Sequence, residues 1–242
     1  MRKHAWLFLS IGLTFSLVGC GDSGSSGGAG SGGSGGTAGS GGSATAPVSG
    51  TVYSAVLVGE PTELQGATVS VVGGASTTSG ANGAFSLEAP VGIVAFLTTA
   101  PDAWGELVTE DVPPEGEDMA EAEVVPQTVV DQVAAALMET IDPTKGMVIV
   151  EFPGETAIGG ESADLGSNYG LAFVFDSDGD PQLRKVLEAG DEAQVIFANV
   201  DVTSDVMPSV TGAGGGNCTT QPVGATYPSQ AKVFTLIDVT CP

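Results

Sequence analysis

Val48-Ser49-Gly50-Thr51-Val52-Tyr53-Ser54-Ala55-Val56 alternates apolar side chains with small or polar ones, the pattern of a strand with one buried and one wet face. Downstream, Ala67-Thr68-Val69-Ser70-Val71-Val72 reads as a second strand, stopped by Gly73-Gly74. Gly80-Ala81-Asn82-Gly83 is a turn signal, because Asn and Gly tolerate positive φ, and Ala84-Phe85-Ser86-Leu87 resumes the alternation. Ile93-Val94-Ala95-Phe96-Leu97 reads as a fully buried central strand, with Glu106 to Val112 as a last, more polar one. About six short strands without a helical period predict a small β-sandwich. Phe85, Leu87 and Phe96 are expected in its core. Trp104 follows Pro101-Asp102-Ala103 in an expected loop, where it would pack at an edge or stack on sugar.

These residues resemble the carboxypeptidase regulatory-like domain, of transthyretin-like (prealbumin-like) fold. The resemblance rests on Val48, Gly50 and Val52; on Gly66, Ala67 and Val69; on Thr78 through Asn82-Gly83, Phe85 and Leu87; and on Gly92 before Ile93. It covers residues 47–114 and implies a binding or accessory module without catalytic residues. Val58 to Leu64 is an insert slightly longer than the family's usual loop.

Pro113-Pro114-Glu115-Gly116-Glu117-Asp118 is an acidic, proline-containing break, read here as a domain boundary that opens an acidic linker and helix over 115–145. Val130, Val133, Ala134, Leu137, Met138 and Ile141 recur at the helical period. Thr128 is the expected cap, with Asp131 near N3, and Asp142-Pro143 the expected stop. From 146 to 242 strands return at Met147–Phe152, Leu171–Phe175, Ala193–Phe197 and Val233–Val239. Their order resembles a second, diverged copy of the first unit, although Gly159-Gly160-Glu161 lacks the family's motif; an immunoglobulin-like sandwich is the alternative. The expected fold class is thus all-β, with two tandem small β-sandwiches joined by the linker and one amphipathic helix.

The amino terminus carries a different message. Arg2 and Lys3 precede an apolar run from Ala5 to Val18, about 14 residues, which suits a signal peptide and is too short to span a bilayer. Leu17-Val18-Gly19-Cys20 resembles the lipobox of bacterial lipoproteins. That resemblance implies a signal peptide over 1–19, cleavage before Cys20 and acylation of Cys20, giving a near-permanent membrane anchor. Gly21, rather than Asp, follows the cysteine, which within that family implies the outer membrane, facing the periplasm or the cell surface. Residues 20–46 are nearly all Gly, Ser, Ala and Thr, with little to bury, and read as a disordered tether. Gly32-Gly33-Ser34-Gly35-Gly36 matches a hydrolase nucleophile elbow in letters only, since no strand or helix flanks it.

The 242 residues carry a formal charge of −23. Such acidity opposes nucleic acid and anionic lipid surfaces and favours solubility. The single His, His4, falls in the signal, so a processed chain would hold no imidazole for a Ser-His pair or a His-ligated metal. Of the three cysteines, Cys218 and Cys241 remain as an even pair for an oxidising compartment and are expected to be joined. Asp176-Ser177-Asp178-Gly179-Asp180 sets three carboxylates at alternate positions, either as a hairpin turn or as a weak calcium site. Gly179 stands fourth rather than sixth, and no Glu fills position twelve, so the EF-hand pattern is not met. Apart from that calcium candidate no cofactor is expected. Asn217-Cys218-Thr219 forms a glycosylation sequon that the expected disulfide argues against.

The reading at this level is a membrane-anchored envelope lipoprotein without catalysis, contacting membrane through lipid and a glycan or envelope protein through its folded part. A structural subunit of an outer-membrane complex is the first alternative. A carboxylate-dependent hydrolase is the second, with no Asp/Glu pair framed by a cleft motif.

Overall fold

The computed structural model describes residues 44–166 and 168–242, and of residues 118–120 the backbone. Cys20 and the expected signal and tether up to residue 43 lie outside the described residues. The chain enters its first strand at Thr45, two residues before the expected start of the first unit at 47.

In chain order the strands are β1 (Thr45–Ser54), β2 (Thr62–Glu63), β3 (Thr68–Val71), β4 (Ser76–Thr78), β5 (Ala84–Pro90), β6 (Gly92–Thr99), β7 (Ala103–Val112) and β8 (Glu117–Pro126). The helix α1 (Gln127–Leu137) follows. Then come β9 (Gly146–Thr156), β10 (Ser162–Asp164), β11 (Leu171–Phe175), β12 (Pro181–Gln182), β13 (Glu192–Val200), β14 (Ser209–Thr211), β15 (Thr219–Gln221) and β16 (Val233–Thr240). The fold is an all-β sandwich, with one short α-helix among the described residues.

The first half behaves as its alternation requires. Ala46, Val48 and Val52 of β1 face inward with Phe85, Leu87 and Ala89 of β5, against Val69, Phe96 and Val108 of the opposing layer. β5 lies antiparallel along β1, with Val48 opposite Leu87 and Gly50 opposite Phe85. The turn before β5 places Asn82 at φ 60 and Gly83 at φ 65. A Cβ on Gly83 would sit 2.4 Å from the Val52 carbonyl oxygen, so this turn needs glycine both for its backbone and for its closeness to β1.

The segment from 115, read as an acidic linker, is mostly strand. Pro113 to Gly116 form a tight turn, closed by the Gly116 N–H donating to the Pro113 carbonyl at 3.0 Å, and β8 then runs parallel to β1. Its alternation of Glu and Ala with Val hid a strand behind a run of charge. The helix is also displaced from its expected bounds. It starts after Pro126 rather than at a Thr128 cap, and it ends when Met138 turns left-handed at φ 54. Met138 is 91% exposed, while Ile141, beyond the helix, is buried all the same. Val129, Val130, Val133 and Leu137 form the buried stripe. Pro126 fixes φ and has no N–H to lose, which suits a helix start.

Nor are the two halves beads on a string. β16, the last strand, pairs parallel with β7 of the first half (Phe234 opposite Glu106) and with β9 of the second (Leu236 opposite Ile149). One sheet therefore runs β12-β11-β13-β9-β16-β7-β6-β3-β4. The period-2 rule divides its second half into two faces. Met147, Ile149, Ile196, Phe173, Phe234 and Leu236 join the core of the first half and lie under α1. Val148, Val150, Val195, Phe197, Ile237 and Val239 pack on the other face with Leu165, Val206, Val210 and Tyr227. Sheets covered on both faces read as unbroken apolar runs.

Candidate functional site

The expected disulfide is formed: the sulfurs of Cys218 and Cys241 are 2.03 Å apart, with Cα atoms at 4.3 Å. It ties the chain just before β15 to the residue after β16. These two strands pair antiparallel with Thr219 opposite Thr240, so the bond closes a hairpin at its open end. Gly212 comes close to both cysteines; a Cβ there would lie 3.2 Å from the Cys241 Cβ. Closing a loop of this length stabilises by about 3 kcal/mol on the chain-entropy account.

The Asp176–Asp180 segment is a turn that uses its own carboxylate. One oxygen of Asp176 accepts the N–H groups of Asp178 and Asp180, both at 3.0 Å, and the other accepts the Gln182 amide at 2.8 Å. Burial pushes the Asp176 carboxyl up, but those donors together with Arg184 outweigh it and hold the group below the usual carboxylate range. Gly179 supplies the positive φ of 79°. The calcium expectation for Asp176, Asp178 and Asp180 is left without a converged donor set. Among the described residues no group of three or more His, Cys, Asp or Glu side chains is placed to hold a metal ion.

Trp104 departs from expectation in another way. It lies in β7, fully buried, and its indole N–H donates to Gln127 Oε1 at 3.0 Å. It anchors the corner where β7 meets β8, with Trp104 opposite Val125, and is not available to stack on a sugar.

The residues that form a concave, polar surface were not singled out in the sequence. Ile93, Glu110, Asp111, Glu117, Gln221, Pro222 and Val223 line a hollow of about 460 Å³ between the β6–β7 ladder, the start of β8 and the end of β15. One oxygen of Glu117 is buried there without a hydrogen-bond partner. Towards the opposite end of β7, β7 and β8 diverge after their two paired residues, and the Glu106 carboxylate accepts the Glu123 N–H at 2.7 Å across the gap. On the α1 face of the sheet, Ile196, Ile149 and Leu236 stand in one row, and Gln194, Glu151 and Asp238 in the next. Apolar surface under the helix thus gives way to a carboxylate shelf. At its margin burial pushes the Glu192 carboxyl up to about 7, against the opposing effect of the Gln194 amide, which donates to it at 2.6 Å. Oxygen acceptors of this kind suit ammonium groups or hard cations. Of the acidic run 115–118, whose charge looked like solvation of a linker, only Glu117 lines the hollow.

Two further carboxylates serve structure. Asp191, 3% exposed, takes both of its Arg184 contacts at 2.8 Å, and Arg184 also pairs with Glu188. Glu161, 6% exposed, accepts the N–H groups of Ile158 and Gly159 at 2.9 and 2.7 Å, which gives the Gly159-Gly160-Glu161 segment its role as a self-capped loop.

No protein-family model matches the chain, and no curated protein does. Among solved structures, the Bacillus anthracis TIE protein aligns at 11% identity and a TM-score of 0.27, over 80% of this chain and 33% of that one. The chain thus spans about a third of that protein's length. GBS52, the minor pilin of Streptococcus agalactiae, aligns at 10% identity and a TM-score of 0.20, over 81% of this chain and 96% of that one. Superpositions this loose carry no argument about function.

Proposed function

We propose that the protein is a membrane-anchored envelope lipoprotein whose folded part is a non-catalytic module for adhesion or accessory binding. The observation that carries this reading is Leu17-Val18-Gly19-Cys20, placed after Arg2-Lys3 and an apolar run and before the Gly/Ser-rich stretch. The Cys218–Cys241 disulfide supports an oxidising compartment for the folded part. In this reading Cys20 carries the lipid, the outer membrane is the address, and residues 47–114, whose sheet β8 extends, resemble a carboxypeptidase regulatory-like domain. The folded part contributes surface: a sandwich edge, loops, and the hollow bounded by Glu110, Asp111 and Glu117. Its partner is a glycan or an envelope protein.

Fractionation of cells making the Cys20→Ser chain tests the anchor. The expected result is protein released from the membrane fraction or held as uncleaved precursor. Normal processing with membrane retention contradicts the reading.

A further inference from the structure

We propose that β1 is the mechanical anchor strand of the folded part, seated so that tension arriving through the amino-terminal tether is resisted in shear by two ladders at once. β1 is an interior strand. On one side, seven successive residues, Thr45 to Thr51, pair with Pro90 to Ala84. On the other, Val48, Ser49, Gly50, Val52, Tyr53 and Ser54 pair with β8. The entry point is closed on both flanks. The Ala44 carbonyl accepts the Val91 N–H at 2.9 Å, and Gly116 packs so tightly on Pro47 that a Cβ would lie 2.4 Å from the Pro47 oxygen. Ala46, Val48 and Val52, all 1% exposed or less, would have to leave the core if β1 slid out.

Strand directions fix the line of pull. β8 is parallel to β1 and antiparallel to β7, and β16 is parallel to β7, so β16 runs opposite to β1. The start of β1 and the end of β16 therefore lie at the same end of the molecule. The hollow at that end confirms it, since it brings Glu117 beside Gln221, which pairs with Asp238. The far end is marked by Gly105 opposite Val233, Gly146 opposite Val200, and the Asp201 N–H donating to the Asn168 carbonyl. Val202, 59% exposed, sits there. A load taken up at the far end, away from the hollow, would pull β1 along its own axis, and both ladders would have to fail together. A pull between the two termini acts across the strands and opens the ladders one bond at a time.

The direction of load rests on the leader reading above. The test does not need the lipid, so its failure leaves the anchor untouched, and loss of the anchor leaves this result untouched. The full chain carrying Cys20→Ser and Val202→Cys is stretched between its amino terminus and residue 202. A second sample, carrying Cys20→Ser alone, is stretched between its two termini. The rupture force along the first line should exceed that along the second by at least about twofold at equal loading rate, because forced unfolding follows the barrier crossed. Equal forces overturn the proposal. So does a first release along the Val202 line whose length maps to β11–β13 with β1 still seated.

Discussion

β5 and β9 are both regular strands, yet they are buried in opposite styles. In β5 every second side chain is exposed, so that Phe85, Leu87 and Ala89 face the core and Ala84, Ser86 and Glu88 face water. In β9 Met147, Val148, Ile149 and Val150 are all buried, because α1 covers one face of the sheet and the loops around Tyr227 and Val210 cover the other. A strand buried on one face announces its orientation in sequence, whereas a strand buried on both announces only that it is interior. The second half also needs more to close it, including a helix and a disulfide.

The largest effect should come from a residue that serves both halves. Phe234 is fully buried, faces α1, and pairs with Glu106 on one side and Met147 on the other. Phe234→Ala should cost about 3–5 kcal/mol of unfolding free energy in urea, with one transition retained. Leu87→Ala, on a strand with one wet face, should cost less, at the lower end of the 2–5 kcal/mol range typical of such truncations. A larger loss at Leu87 than at Phe234 would break the comparison.

A pH experiment probes the polar margin of the doubly covered sheet. Burial raises the Glu192 carboxyl to about 7 in the fold, so the folded state holds this proton more tightly than the unfolded chain does. Its contribution to stability is therefore fully present below about 4.5, falls as pH rises, and is gone above about 7. Partial exposure discounts the effect to about 2 kcal/mol across that window. In Glu192→Gln the matching part of the pH slope should vanish; an unchanged slope would show that Glu192 is solvated.

The smallest effect concerns the packing under the helix. Val129, Val130, Val133, Phe173 and Phe234 help line an apolar cavity of about 40 Å³. Val133→Ile, which adds one methylene towards it, should stabilise by up to about 1 kcal/mol, the cost assigned to a void of this size. Destabilisation would mean that the space is shaped wrongly for the added group.

The contrast between β5 and β9 also explains what was legible in the sequence. Val48 to Val56, Phe85 and Leu87 disclosed their strands and their core faces because water on one side forces alternation. Leu171–Phe175 and Val233–Val239 disclosed strands but not the partner of β16, since nothing local in Phe234-Thr235-Leu236 says that both β7 and β9 flank it. β8 was hidden because Glu117, Glu121 and Glu123 look like a solvated linker, whereas Glu123 is buried and its N–H is bound by Glu106. Trp104 was misplaced for a similar reason: Pro101-Asp102 marks a turn, and the strand resumes at once after it. The disulfide followed from an even pair of cysteines, a chemical rule independent of fold. The acidic hollow could not be foreseen, because Glu110, Glu117 and Gln221 meet only through long-range pairing.

Native-state hydrogen exchange across the junction tests most directly whether the two halves share one sheet. The amides of β7, β16 and β9 should exchange through a single opening, with one common and largest free energy. Two distinct opening energies, with β7 exchanging while β9 stays protected, would contradict the shared sheet.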